Sequence, residues 1–161
     1  MARLPPGLSP THPAVIAGSW FGVGFIPFAS GTWGSLAALP LGWIAYILGG
    51  PLLVAAAAVI AFAVGCWAAS AITARGGDPD PSLIVIDEVA GQLLAVVAIP
   101  ADPLLYALAF IGFRAADIFK PWPAGWADRE IKSGFGVMLD DIFAALYVVA
   151  GLAILRWYMA S

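Results

Sequence analysis

Six ionisable side chains stand within otherwise apolar stretches: Asp87 and Glu88, Arg114 and Asp117, and Asp140 and Asp141. A charge at membrane depth costs about 2.5–3.5 kcal/mol on insertion scales, so helices keep one only where it pairs, binds an ion or lines a wet cavity. Five of the six are carboxylates, with no soft ligand near them. An all-oxygen set suits a hard cation such as Mg²⁺ rather than zinc or copper, and clustered carboxylates repel unless a cation neutralises them. Asp87, Glu88, Asp117, Asp140 and Asp141 are therefore the predicted metal ligands and catalytic acids. The plainer reading is that acids at helix N-termini complement the helix dipole, which suits Asp87–Glu88 and Asp140–Asp141. Arg114, Asp117 and Lys120 recur every third residue and would share one helical face. An Arg fork and a Lys point charge beside a carboxylate-bound metal would suit a phosphate group. A structural Arg114–Asp117 ion pair is the simpler alternative.

Upstream, the segment from Gly22 to Ser35 mixes glycine, proline and hydroxyls ahead of an apolar run. Glycine lets backbone amides approach an anion and a helix N-terminus favours negative charge, so Gly31, Thr32 and Ser35 are candidates to cradle a phosphate. Thr32 and Ser35 could instead simply cap the helix. Gly134-Phe135-Gly136 is open to the same two readings, the plainer being a flexible entry to the last span. Asp78-Pro79-Asp80-Pro81-Ser82 has the paired aspartates of a haloacid-dehalogenase phosphatase, but its prolines and the preceding Gly76-Gly77 make it a turn, not a catalytic strand end. The lone His12 and lone Cys66 cannot form a disulfide, a thiolate metal site or a Cys–His pair.

These groups need a scaffold, and the composition says which. The 161 residues are 62% hydrophobic and 11% charged, where a soluble domain carries roughly a quarter charged residues. The net charge of −3 comes with no basic run, which excludes a nucleic-acid partner. Between Arg3 and Arg75 there is no charged side chain; a crossing helix needs about 20 apolar residues, so two spans fit there, residues 35–48 and 52–74. Gly49-Gly50-Pro51 turns the chain between them. Weaker spans are expected at 83–99, 104–119 and 142–158, with Pro100-Ala101-Asp102-Pro103 separating the first two. Residues 120–141 are too polar to cross and are expected on the surface, with a short interfacial helix carrying Trp122 and Trp126. The start is not expected to be a signal peptide, because Arg3 is its only basic residue and prolines interrupt any apolar core.

The expected fold is a single all-α domain over residues 1–161, a polytopic transmembrane helical bundle with about five membrane-embedded helices. With five crossings Arg3, Arg75, Lys120, Arg129 and Lys132 fall on one side and only Arg156 dissents. The positive-inside rule makes that side cytoplasmic. All six intramembrane ionisable groups then lie at the cytoplasmic ends of their helices, where they can converge.

Read together, the motifs are Gly22-x-Gly24-x-x-Pro27-x-x-x-Gly31-Thr32-x-Gly34-Ser35, Asp87-Glu88-x-x-Gly91, Phe113-Arg114-x-x-Asp117-x-x-Lys120-Pro121-Trp122-Pro123 and Gly136-Val137-Met138-x-Asp140-Asp141. In this order they resemble the bacterial phosphatidylglycerophosphatase A family, from Gly22 to about Ala145. Two departures are visible, Ser30 in place of a proline before Gly31-Thr32, and Ser133 where a second glycine often precedes Gly134. The resemblance implies a Mg²⁺-dependent lipid phosphatase that converts phosphatidylglycerophosphate to phosphatidylglycerol in a bacterial inner membrane, its active site facing the cytoplasm. The attacking group stays open among water, an aspartate and Thr32. An ion-coupled transporter would place its charges near the bilayer midplane. A CDP-alcohol phosphotransferase would show an Asp-Gly-x-x-Ala-Arg signature, which is absent, and a purely structural subunit would leave the acids without purpose.

Overall fold

The computed structural model describes residues 4–75 and 81–160; Arg3 and the turn expected over residues 76–80 lie outside them. The described residues are helical, without strands: α1 (Pro13–Gly18), a 3-10 turn at Val23–Phe25, α2 (Ser30–Thr73), α3 (Ile86–Val96), α4 (Pro103–Phe119), α5 (Ala124–Glu130) and α6 (Gly134–Ala160). His12 is the N-cap of α1, its Nδ1 accepting from the Ala14 amide at 3.2 Å, which gives the lone histidine a structural role.

A straight helix of 44 residues would be about 66 Å long, twice a bilayer core of about 30 Å. The Gly49-Gly50-Pro51 turn prevents this: Gly49 and Gly50 leave helical geometry, Gly50 with φ 64° and ψ −160°. The two arms of α2 reverse around α3. In the first arm Gly34 abuts Val85 and Gly42 abuts Leu93 and Val96, whereas in the second Gly65 abuts Ile86. Each arm turns small residues inward at spacings of three or four: Gly31, Gly34, Ala38, Gly42 and Ala45, then Ala58, Ala61, Gly65 and Ala68. Small side chains let helix backbones approach closely where lipid leaves no hydrophobic drive between helices. The outer faces are apolar, with Ile47, Leu48 and Leu52 on α2, Ile111 on α4 and Ile154 on α6 each more than 60% exposed.

Among the described residues two helices, α2 and α6, are long and apolar enough to cross a membrane. Of the other two expected spans, α4 matches its expected range and α3 is shorter than the sequence suggests. Helix α3 has 11 residues, about 17 Å, because Leu83–Val85 runs non-helically and pairs with α1's end, the Val85 amide donating to Gly18 O at 2.9 Å. Nine of its residues are buried, which makes it the central element. Helix α4 begins where expected, with Asp102 capping the Leu105 amide at 2.9 Å and Pro103 in the first turn. Helix α6 begins at Gly134 rather than residue 142. Asp140 and Asp141 therefore sit about two turns inside it, beyond the reach of its N-terminal dipole, and dipole complementation survives only for Asp87 and Glu88 in α3's first turn.

Candidate active site

The start of α2, the start of α3, the end of α4 and the first turns of α6 meet at one end of the bundle. Their polar side chains enclose a cavity of about 230 Å³ lined by Ser30, Ser82, Ile84, Asp87, Glu88, Asp117, Lys120, Asp140 and Asp141. All five predicted acids reach it, so their charges gather at one end rather than spread along a midplane path. The acids nevertheless divide by partner. Asp87, Glu88 and Asp141 each place a carboxylate oxygen within 4.8 Å of the others. Asp117 is held by Arg114, Oδ2 to Nη1 2.6 Å, and Asp140 by Lys120, Oδ2 to Nζ 2.6 Å.

Glu88 owes its place to a glycine. A Cβ on Gly31 would stand 1.8 Å from Glu88 Oε1 and 3.3 Å from Arg114 Nη1, so the carboxylate lies directly against the first turn of α2. Arg114 Nη1 lies 3.8 Å from Glu88 Oε1 and donates to Ser35 Oγ at 3.4 Å, while Ser35 Oγ donates to Gly31 O at 3.0 Å. The expected (i, i+3) pair is thus present, and it extends into a network tying α2, α3 and α4 together. Among the described residues, Glu88 Oε2 and Arg114 Nε are buried without a partner. Three convergent carboxylates, one with an unpartnered buried oxygen, fit a hard divalent cation, and Asp87, Glu88 and Asp141 are the residues able to hold it.

Gly31, Thr32 and Ser35 belong to the first turns of α2 rather than to a loop before it. Ala29 precedes the helix in the left-handed region and no side chain among the described residues caps it, which leaves the first-turn amides without a side-chain acceptor, and Ser30 of this turn lines the cavity. Thr32 is half-buried and absent from the cavity wall, as is Arg114. Lys120 is not on a helical face with Arg114. It ends α4 in the left-handed region (φ 45°) and reaches back between Asp140 and Asp128. Burial would lower its pKa, but the hydrogen bonds to Asp128 and Asp140 outweigh that and raise it above the ordinary lysine range.

Three contributors escape a reading of the sequence. Ser30 Oγ donates to Ser82 O at 2.9 Å across the cavity rim, and Asp128 Oδ1 lies 2.7 Å from Lys120 Nζ. Ser30 and Ser82 carry no charge, and Asp128 lies in a stretch polar enough to be taken as plain surface. Trp126 lies on α5 as expected, and Trp122 just precedes it.

The sequence profile described as Phosphatidylglycerophosphatase A matches residues 16–156. A Haemophilus influenzae protein named Phosphatidylglycerophosphatase A is 37% identical over 94% of this chain and 92% of its own length. An Escherichia coli K12 protein of the same name is 34% identical over 82% of this chain and 76% of its own. A Bacteroides thetaiotaomicron protein, named as a candidate phosphatidylinositol-3-phosphatase, is 38% identical over 92% of this chain and 96% of its own. No solved structure matches the chain. With the profile spanning the bundle and every element of the cavity, the chain belongs to the phosphatidylglycerophosphatase A family and is a phosphatase, a phosphoric monoester hydrolase.

Proposed function

We propose that this phosphatase removes the terminal phosphate of phosphatidylglycerophosphate, releasing phosphatidylglycerol and inorganic phosphate in glycerophospholipid synthesis. The observation that carries the reading is the convergence of the motif residues on one polar cavity at the end of a bundle that is apolar outside. A phospholipid can present its headgroup phosphate there while its acyl chains stay against the apolar faces. The family resemblance supports the glycerophosphate headgroup.

In this reading the protein is a multi-pass protein of a bacterial inner membrane. Five embedded segments serve it: the two arms of α2, α3 with its flanks, α4 and α6. Arg75, Lys120, Arg129 and Lys132 cluster toward the cavity end, Arg75 donating to Gly7 O at 3.1 Å, while Arg156 reaches Ala98 O at the other. The basic excess makes the cavity end cytoplasmic, with the N-terminus inside and the C-terminus outside.

Mg²⁺ held by Asp87, Glu88 and Asp141, with Asp117 and Asp140 adjacent, would neutralise the phosphoryl oxygens and polarise the phosphorus for attack. The chain's own residues do the rest. Lys120 meets developing negative charge at the cavity wall, and the start of α2, where Ser30 lines the cavity, brings the positive end of that helix near the phosphate. Arg114, engaged with Glu88, Asp117 and Ser35, orients the acids and offsets their repulsion. Water is the favoured attacking group, since Thr32 is off the cavity wall and Asp117 and Asp140 already carry ion pairs.

The test is phosphate release from phosphatidylglycerophosphate by purified protein in detergent, with Mg²⁺, without it, and with EDTA. Release that stops with EDTA and resumes with excess Mg²⁺ supports the reading. Release indifferent to chelation removes the metal from it, and no release removes the substrate.

A further inference from the structure

Among the described residues Lys120 is the one cation on the cavity wall, and its ammonium is held from two sides. Asp140 Oδ2 on α6 lies 2.6 Å away and Asp128 Oδ1 on α5 lies 2.7 Å away. An ammonium has three N–H donors, so these bonds leave one for an occupant of the cavity. A lysine on a flexible four-carbon stem with a single partner would have its distance fixed but not its direction. Two acceptors on different helices fix both.

Asp128 is itself firmly seated. The Gly125 amide donates to Pro121 O at 3.3 Å, Lys132 Nζ donates to Asp128 O at 2.7 Å, and a Cβ on Gly125 would stand 2.5 Å from Lys120 O. Helix α5 therefore packs on the Lys120 backbone and returns a carboxylate to its side chain. Asp128 does not line the cavity, and its side chain is 34% exposed, so it acts through Lys120 rather than on the substrate.

We infer that Asp128 is a positioning residue: with Asp140 it holds the Lys120 ammonium so that the remaining N–H meets a phosphate oxygen of the substrate. The inference rests on the phosphatase reading above, and the two fail separately. A wild-type protein that releases no phosphate from phosphatidylglycerophosphate defeats that reading, whereas the role of Asp128 is also read in binding of inorganic phosphate by titration calorimetry.

The experiment compares Asp128→Asn and Asp128→Glu in the wild-type and Lys120→Met backgrounds. Losing one charged hydrogen bond lowers kcat/KM and phosphate affinity by about tenfold in Asp128→Asn. Asp128→Glu restores most of both, and in the Lys120→Met background Asp128→Asn adds less than about twofold, because the residue it positions is gone. Near-wild-type kcat/KM and phosphate affinity in Asp128→Asn would overturn the inference, as would the same tenfold loss repeated without Lys120, the mark of a merely structural role. If Lys120→Met does not fold, the phosphate affinities of Asp128→Asn and Asp128→Glu per folded protein decide, equal and unchanged values being the refutation.

Discussion

Replacing Gly31 by alanine should separate stability from activity. The position is helical, in the first turn of α2, so alanine stabilises it by up to about 1 kcal/mol in propensity. Its Cβ, however, would stand 1.8 Å from Glu88 Oε1 and 2.7 Å from Glu88 Cδ. Relief to a tolerable contact near 3.0 Å moves that carboxylate by at least about 1.2 Å. Glu88 Oε1 is the far end of a flexible side chain, so the fold yields at little cost and the melting temperature in detergent stays close to wild type. The acid cluster does not survive so easily, since its oxygens lie within 4.8 Å of one another and Arg114 follows Glu88. A misplacement of about 1 Å in a catalytic site can cost on the order of 100-fold, or about 2.7 kcal/mol of transition-state stabilisation. The assay is phosphate release from phosphatidylglycerophosphate in micelles, with a melting curve on the same sample. Gly31→Ala at full activity would show that Glu88 need not sit where it does, and would refute the reasoning.

Gly134→Ala should do the opposite, because its Cβ would meet the Ser70 backbone at 2.3 Å, which cannot swing aside; overpacking of this kind costs about 1–3 kcal/mol and lowers Tm by about 2–4 °C per kcal/mol. Thr32→Val should keep kcat within about twofold, as Thr32 is off the cavity wall, whereas a loss of about a thousandfold would make it the nucleophile after all. Lys120 stays an ammonium through neutral and mildly alkaline pH. Its folded pKa lies above the unfolded lysine value of about 10.4, so its stabilising contribution is complete below that value and fades only as pH rises through the higher one. Any basic limb of the activity profile near neutrality should therefore persist unchanged in Lys120→Arg.

Much of this site was legible because charge is so scarce in the chain. Residues that have to be justified individually in an apolar sequence point to one another, and all five acids do reach one cavity. Punctuation was legible too: Gly49-Gly50-Pro51 reverses α2, and Asp102-Pro103 starts α4 as capping chemistry requires. Hydropathy could not reveal that Leu83–Val85 is non-helical, since a buried irregular segment is as apolar as a helix, and so α3 came out short. It also hid the true start of α6, because Gly134 and Gly136 read as loop, although their missing side chains are what admit Ser70 and the Ile131 carbonyl. The split of the acids into a convergent trio and two ion-paired members depends on tertiary partners. Lys120 leaves the helical face through its left-handed backbone, and Asp128 joins it from another helix.

The claim at the centre is that Asp87, Glu88 and Asp141 jointly hold one divalent cation. Titrating purified protein with Mn²⁺ while following the free ion by electron paramagnetic resonance tests it without reference to turnover. The account predicts a saturable site in the wild type, displaced by Mg²⁺ and weakened at least about tenfold in Glu88→Gln and in Asp141→Asn. Undiminished Mn²⁺ binding in both variants would contradict it.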